Sequence, residues 1–192
     1  MGTWSALPAL ALMSIGVSYG LQRDEGARLS IKHATDAAAA TIPARAQSTT
    51  IERMLSETRP AGLAPDLRSQ AYQYTRAAKF ETTKWIVEAT ITEIVKRPDG
   101  DFYMVIEAKS GAKTVVEAPD PDLCAGSHFL AEIKRVRKLL NDKFHPTPQP
   151  QKVRVSAQIT GLGFFGYQSK SPSGGRTNGA RLMPALNLKL GA

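Results

Sequence analysis

Three groups of residues have types and spacings that suggest chemistry. The first is the run Gly161-x-Gly163-x-x-Gly166, which has the spacing of a dinucleotide fingerprint. That chemistry needs a strand before the glycines and a helix after them, so that the pyrophosphate meets a helix N-terminus. Here "SKSPSGGRTNG" follows and cannot start a helix, so the dinucleotide reading fails. A phosphate-binding P-loop fails as well, because no Gly-Lys-Ser/Thr follows the glycines. The second group is Cys124 with His128 four residues on. A thiol beside an imidazole at a helix start would be an activated nucleophile, but a buried packing cysteine is the plainer reading. As the only cysteine, Cys124 excludes an intrachain disulfide and a cysteine-based zinc site. The third group is Asp99, Asp101, Asp120 and Asp122, the carboxylates available to a metal-dependent nuclease. Asp99 and Asp101 flank Gly100 in a hairpin turn, and Asp120 and Asp122 alternate with prolines ahead of a helix. No carboxylate cluster drawn from several strands is apparent, and no Ser-His-Asp arrangement stands out. The expectation is a non-enzymatic protein with no cofactor, no metal and no catalytic residues.

The charge distribution favours binding. The 192-residue chain carries a formal charge of +8 and a pI near 9.7, a balance suited to anionic partners. From Lys143 to Ala192 there is no Asp or Glu, while Lys143, Lys152, Arg154, Lys170, Arg176, Arg181 and Lys189 fall in that span. The residues expected to bind ligand are Lys152, Arg154, Phe165, Tyr167, Lys170, Arg176 and Arg181. Aromatic rings would stack on bases and the cations would meet phosphates. Strand alternation sends Phe164 and Phe165 to opposite faces, so at least one of them belongs to the core.

Several elements must position these residues. Residues 1–22 contain an apolar run from Leu7 to Tyr19, about the length of a signal-peptide core and too short for a membrane span. No Lys or Arg precedes Arg23, so this is an atypical export signal or anchor, or an ordinary apolar segment. Exported or inner-membrane-associated and cytoplasmic locations are therefore both left open. Residues 23–80 read as a linker with two short helices, one capped by Thr50 and one running through Pro65 to Glu81. Residues 81–192 read as the folded domain. "KWIVEATITEIVKR" alternates as a strand, with a slip between Ile91 and Ile94 that predicts a β-bulge. "FYMVIEA" and "TVVEAP" follow as strands across short turns. Phe129, Ile133, Val136 and Leu140 recur at helical spacing and predict a helix. "KVRVSAQITGLGFF" and "RLMPALNLKL" close the domain as strands. Three strands, a helix and two strands is the order of an OB-fold, a five-stranded Greek-key β-barrel with its helix between strands three and four. The glycine-rich stretch then becomes the loop joining the last two strands.

The segments "TKWIVEATITEIVKRPDGDFYMVIEA", "VVEAPDPDLC", "VSAQITGLGFFG" and "TNGARLMPAL" resemble a family of small bacterial proteins, many of them exported, for which no activity is established. The resemblance spans residues 83–190 and rests on Trp85, Asp99, Gly100, Asp101, Glu117, Pro119, Pro121, Cys124, Gly161, Gly163, Phe164, Phe165, Asn178 and Pro184. The chain departs from that pattern at Gly166, Arg181 and Met183, where the family carries Asp, Glu and His. Any site those polar groups build in relatives is absent here, and the loop is more basic. The expected function is a binding module whose basic face takes single-stranded nucleic acid or another polyanion. The alternative is an exported protein with an envelope or protein partner.

Overall fold

The structure is a computed structural model and describes residues 28–68, 70–168 and 177–191. The apolar segment 1–22 and the loop residues Lys170 and Arg176 lie outside the described residues. In chain order the regular elements are α1 (Leu29–Lys32), β1 (Gln47–Ser48), α2 (Ile51–Ser56), β2 (Lys84–Lys96), β3 (Phe102–Glu107), β4 (Lys113–Ala118), α3 (Leu130–Phe144), β5 (Gln151–Phe165) and β6 (Ala180–Leu190).

The chain is mainly β, a six-stranded mixed sheet in the order β1-β2-β3-β4-β6-β5, and β5 also pairs with β2. β2, β3, β4, β6 and β5 therefore follow one another around a barrel-like ring. The ring closes unevenly. The antiparallel β2–β5 ladder runs from Lys84↔Leu162 to Ile94↔Gln151, whereas β4 meets β6 at one parallel pair, Val116↔Leu182. The expected bulge lies between Ile91 and Glu93 and shifts the register of both β2 ladders. It lets Ile91 and Ile94 both point into the core although their spacing is odd. Helix α3 buries Ile133, Val136 and Leu140, with Phe129 just ahead of it.

Residues 28–80 are not a linker. Ile31, Ile51, Met54, Leu63 and Leu67 are buried in the same core as Val87, Met104, Ile159 and Phe165. β1 adds a sixth strand parallel to β2. The first short helix forms where expected, with the Thr50 hydroxyl accepting the Arg53 N–H. The second does not form. Among the described residues from Pro65 to Thr82, the helical structure consists of 3-10 turns at Gln70–Tyr72 and Lys79–Thr82. Long-range side chains take the backbone groups a helix would have used: Arg28 donates to the carbonyls of Tyr72 and Thr75, and the Glu81 carboxylate accepts the Ala77 N–H. The low-complexity sequence "ATDAAAATIP" hides its role because small residues pack closely without any hydrophobic period. Ala34, Ala39 and Ile42 join Cys124, Phe129, Ile133, Leu162 and Leu186 in a second buried cluster.

Candidate functional site

The expected ligand residues do not form one face. Lys152 and Arg154 are exposed on β5 beside the β2 bulge, while Phe165 and Arg181 belong to the far end of the β5–β6 ladder. Lys152 is paired with Glu93 and Arg181 with Phe164, twelve residues further along β5. That separation is on the order of 40 Å along the strand path. Phe165 is fully buried, tilted against Phe80 with ring centroids 5.1 Å apart, and offers no face to a base. Tyr167 is half-buried against the core. Arg181 is mostly buried and bonds Glu117 Oε1 at 2.8 Å and the Tyr167 carbonyl at 3.3 Å.

The glycine run serves chain crossing. Gly161 and Gly163 lie inside β5 opposite Ala185 and Leu182. A Cβ on Gly163 would overlap the Phe80 carbonyl, and one on Gly166 would overlap the Arg181 guanidinium. Cys124 sits in a 3-10 turn ahead of α3. Burial pushes its thiol up to about 12, with Asp101 and Asp120 adding to the shift, the reverse of an activated thiolate. His128 is exposed.

The carboxylates do assemble across elements, contrary to the expectation from sequence. Asp99 and Asp101 come from the β2–β3 turn and Glu117 from β4. All three surround the ammonium of Lys32, at 3.0, 2.7 and 3.8 Å. Arg181 completes the group through Glu117. Burial alone would lower the Lys32 pKa, yet Glu117, Asp101 and Asp99 together push it well above its ordinary value. Burial raises Asp101 to about 6 against the pull of Lys32, because three carboxylates share two cations. Neighbouring His33 is held down at about 4 by burial and by Lys32. The centre of the cluster is thus already occupied by the chain's own cation. Among the described residues, no group of three or more His, Cys, Asp or Glu is arranged to hold a metal ion. No local pattern announces this cluster, because Lys32 lies in the stretch read as linker, 67 residues from Asp99.

A second buried network anchors the two ends of the β5–β6 loop. The Arg28 guanidinium grips Glu81 with bonds of 2.7 and 2.6 Å, and both side chains are fully buried. Glu81 also accepts the Phe165 N–H. Arg59 donates to the carbonyls of Gly166 and Asn178, one on each side of the loop, and to those of Leu63 and Ala64. Burial and nearby Arg28 lower Arg59 to about 10.

The open polar surface lies elsewhere. A shallow depression of about 320 Å³ on the face of the sheet turned away from the core is lined by Thr92, Glu93, Val105, Glu107, Lys113, Lys152, Val153 and Arg154. Lys113 and Glu107 are cross-strand neighbours paired at 3.2 Å. Lys152 and Glu93 are paired across β5 and β2. Arg154 has no carboxylate partner among the described residues. The β2 bulge creates this surface by turning Thr92 and Glu93 out together.

No protein-family model matches the chain, and searches of curated proteins and of solved structures return no match. Function must therefore be argued from the site itself.

Proposed function

We propose that the protein is a non-catalytic binding module of the OB type that takes a polyanionic ligand on the face formed by β2, β3, β4 and the start of β5. Three features support the OB reading: the ring order β2-β3-β4-β6-β5, the helix between β4 and β5, and the parallel β4–β6 contact. In that fold the second and third strands, here β3 and β4, carry the ligand face. The depression lies there, and it is the observation that carries the proposal. Lys113, Lys152 and Arg154 rim it, and Arg154 is free to meet an anion. The two paired lysines remain useful, because exposed pairs are worth little and exchange partners cheaply.

The residues of the contact surface differ from those expected from sequence. Lys152 and Arg154 stay in it, Lys113 joins it, and Phe165 and Arg181 leave it for the core and the buried cluster. The test is a titration of the full chain with inorganic polyphosphate at low and moderate salt, compared with the Lys113→Ala, Lys152→Ala, Arg154→Ala triple variant. The reading predicts saturable binding whose logarithmic salt slope falls by about 2–3 in the variant. Unchanged affinity and slope would move the site elsewhere. No binding by the wild type would remove polyanions and favour a protein-contact role.

A further inference from the structure

We infer that the polyanion is single-stranded nucleic acid and that Tyr103 is its base-stacking platform; the inference rests on the binding face proposed above. β3 pairs with β4 in unbroken register from Phe102↔Ala118 to Glu107↔Lys113. Strand alternation therefore sets Tyr103 in line with Val105 and Glu107, the residues of the depression. Tyr103 is half-exposed, and the Arg97 guanidinium lies over its ring, 5.1 Å from the centroid. A guanidinium plane on a tyrosine occupies the position a base would take, and both are held by the same π-face. Arg97 is half-exposed beside the β2–β3 turn. Displaced from the ring by a base, it becomes a phosphate ligand at the same place.

The charges around the platform fit this ligand. Arg97, Lys113, Lys152 and Arg154 face the carboxylates Glu93 and Glu107, while Glu117, directly across from Tyr103, and Asp99, near Arg97, are already held by Lys32 and Arg181. Lys152 and Arg154 are on β5, Arg97 directly follows β2 and Lys113 is on β4, in a sheet whose neighbouring strands are about 4.8 Å apart. A nucleic-acid strand crossing this face meets cations on both sides of β3, with the base of one nucleotide on Tyr103. A polyanion without rings would use the cations alone. The aromatic residues expected from sequence, Phe165 and Tyr167, sat in the most basic stretch of the chain. Tyr103 was overlooked because it reads as an ordinary member of an alternating strand.

The experiment compares a fluorescein-labelled 12-mer of deoxythymidylate with inorganic polyphosphate of similar charge, using the full chain as wild type, Tyr103→Leu and Tyr103→Phe. Tyr103→Leu is expected to weaken oligonucleotide binding about tenfold, within the range for losing one stacked base. Polyphosphate binding should stay within twofold, and Tyr103→Phe should restore the oligonucleotide affinity. Equal losses for both ligands by a Tyr103→Leu variant that unfolds as cooperatively as the wild type, or no loss for either, would overturn the stacking role while leaving the polyanion face intact. Binding of polyphosphate but not of the oligonucleotide would do the same. Binding of neither by the wild type would overturn both readings. A misfolded Tyr103→Leu would lose both ligands equally, and Tyr103→Trp then decides: it should bind the oligonucleotide at least as tightly as wild type, and a loss there would refute the platform.

Discussion

The molecule carries two kinds of charge pair, and burial separates them. Arg28 and Glu81 are both fully buried, and Glu81 accepts two backbone N–H groups besides its arginine. Lys152 and Glu93 join neighbouring strands in a similar way, but the lysine side chain is 82% exposed. In the first case the desolvation cost is already committed, so removing one partner leaves an uncompensated charge in the core. In the second, removing Glu93 leaves a lysine that water solvates at almost no cost. Buried pairs fix where the chain goes, and exposed pairs are free to change partners and bind. The N-terminal segment supplies one side of the buried pairs at Glu81 and Asp101 through Arg28 and Lys32, and both sides of the Asp36–Arg76 pair.

The harshest way to break this comparison is to remove the buried half. A fragment starting at residue 81 loses Ile31, Ile51, Met54, Leu63 and Leu67 from the core together with Arg28 and Lys32. The apolar loss alone is on the order of 10 kcal/mol, comparable to the stability of a whole domain. The fragment is expected to bind a hydrophobic dye and to show no cooperative urea transition. A sharp transition would mean that residues 28–80 merely decorate the sheet. Next in size, Glu81→Ala should cost about 3–5 kcal/mol in urea unfolding, whereas Glu93→Ala should cost about 0.5 kcal/mol or less. Similar costs would dissolve the distinction between the two kinds of pair.

Smaller effects sharpen it. Gly163→Ala should cost about 1–3 kcal/mol, because its Cβ meets the Phe80 carbonyl, which is backbone. Gly166→Ala should cost less, because there the obstacle is the end of the Arg181 side chain. Thermal unfolding of the two variants gives the ranking directly. A further effect concerns pH. Asp101 has a folded value near 6 against an ordinary 3.8, so its contribution is full below about pH 4 and is lost as pH rises through 6. His33, held near 4 against 6.5, acts in the opposite sense and costs stability as pH falls. Asp101→Asn keeps an oxygen for the Asp120 N–H but removes the first contribution. Between pH 7 and 5 that variant should lose about 1 kcal/mol more than the wild type. Parallel pH profiles would mean that Asp101 stays ionised beside Lys32.

Much of the sheet was legible in the sequence, because period-two alternation and a bulge leave a direct pattern. Trp85, Val87 and Ile91, then Ile94 after the slip, are buried as that pattern requires. The N-terminal segment was not legible, because its structure rests on side chains reaching across the chain: Arg28 to Glu81 spans 53 residues and Arg59 to Asn178 spans 119. Such contacts impose no local period. The proposed contact surface overlaps only in part with the residues that the sequence suggests. It shares Lys152 and Arg154, which charge and alternation single out because exposed cations on a strand need no partner to be recognised. Phe165 and Arg181 were misplaced because composition cannot tell a basic loop that meets solvent from one whose base is buried under arginines. Tyr103 and Lys113 needed the register.

The central claim is where the anion binds. The direct measurement is a backbone-amide NMR titration of the isotope-labelled full chain with inorganic polyphosphate. The account predicts that the largest shifts fall on Thr92, Val105, Lys113, Val153 and Arg154, and that they fade as salt is raised. Shifts confined to the exposed helix residues Lys134, Arg135 and Lys138, with the depression silent, would contradict it.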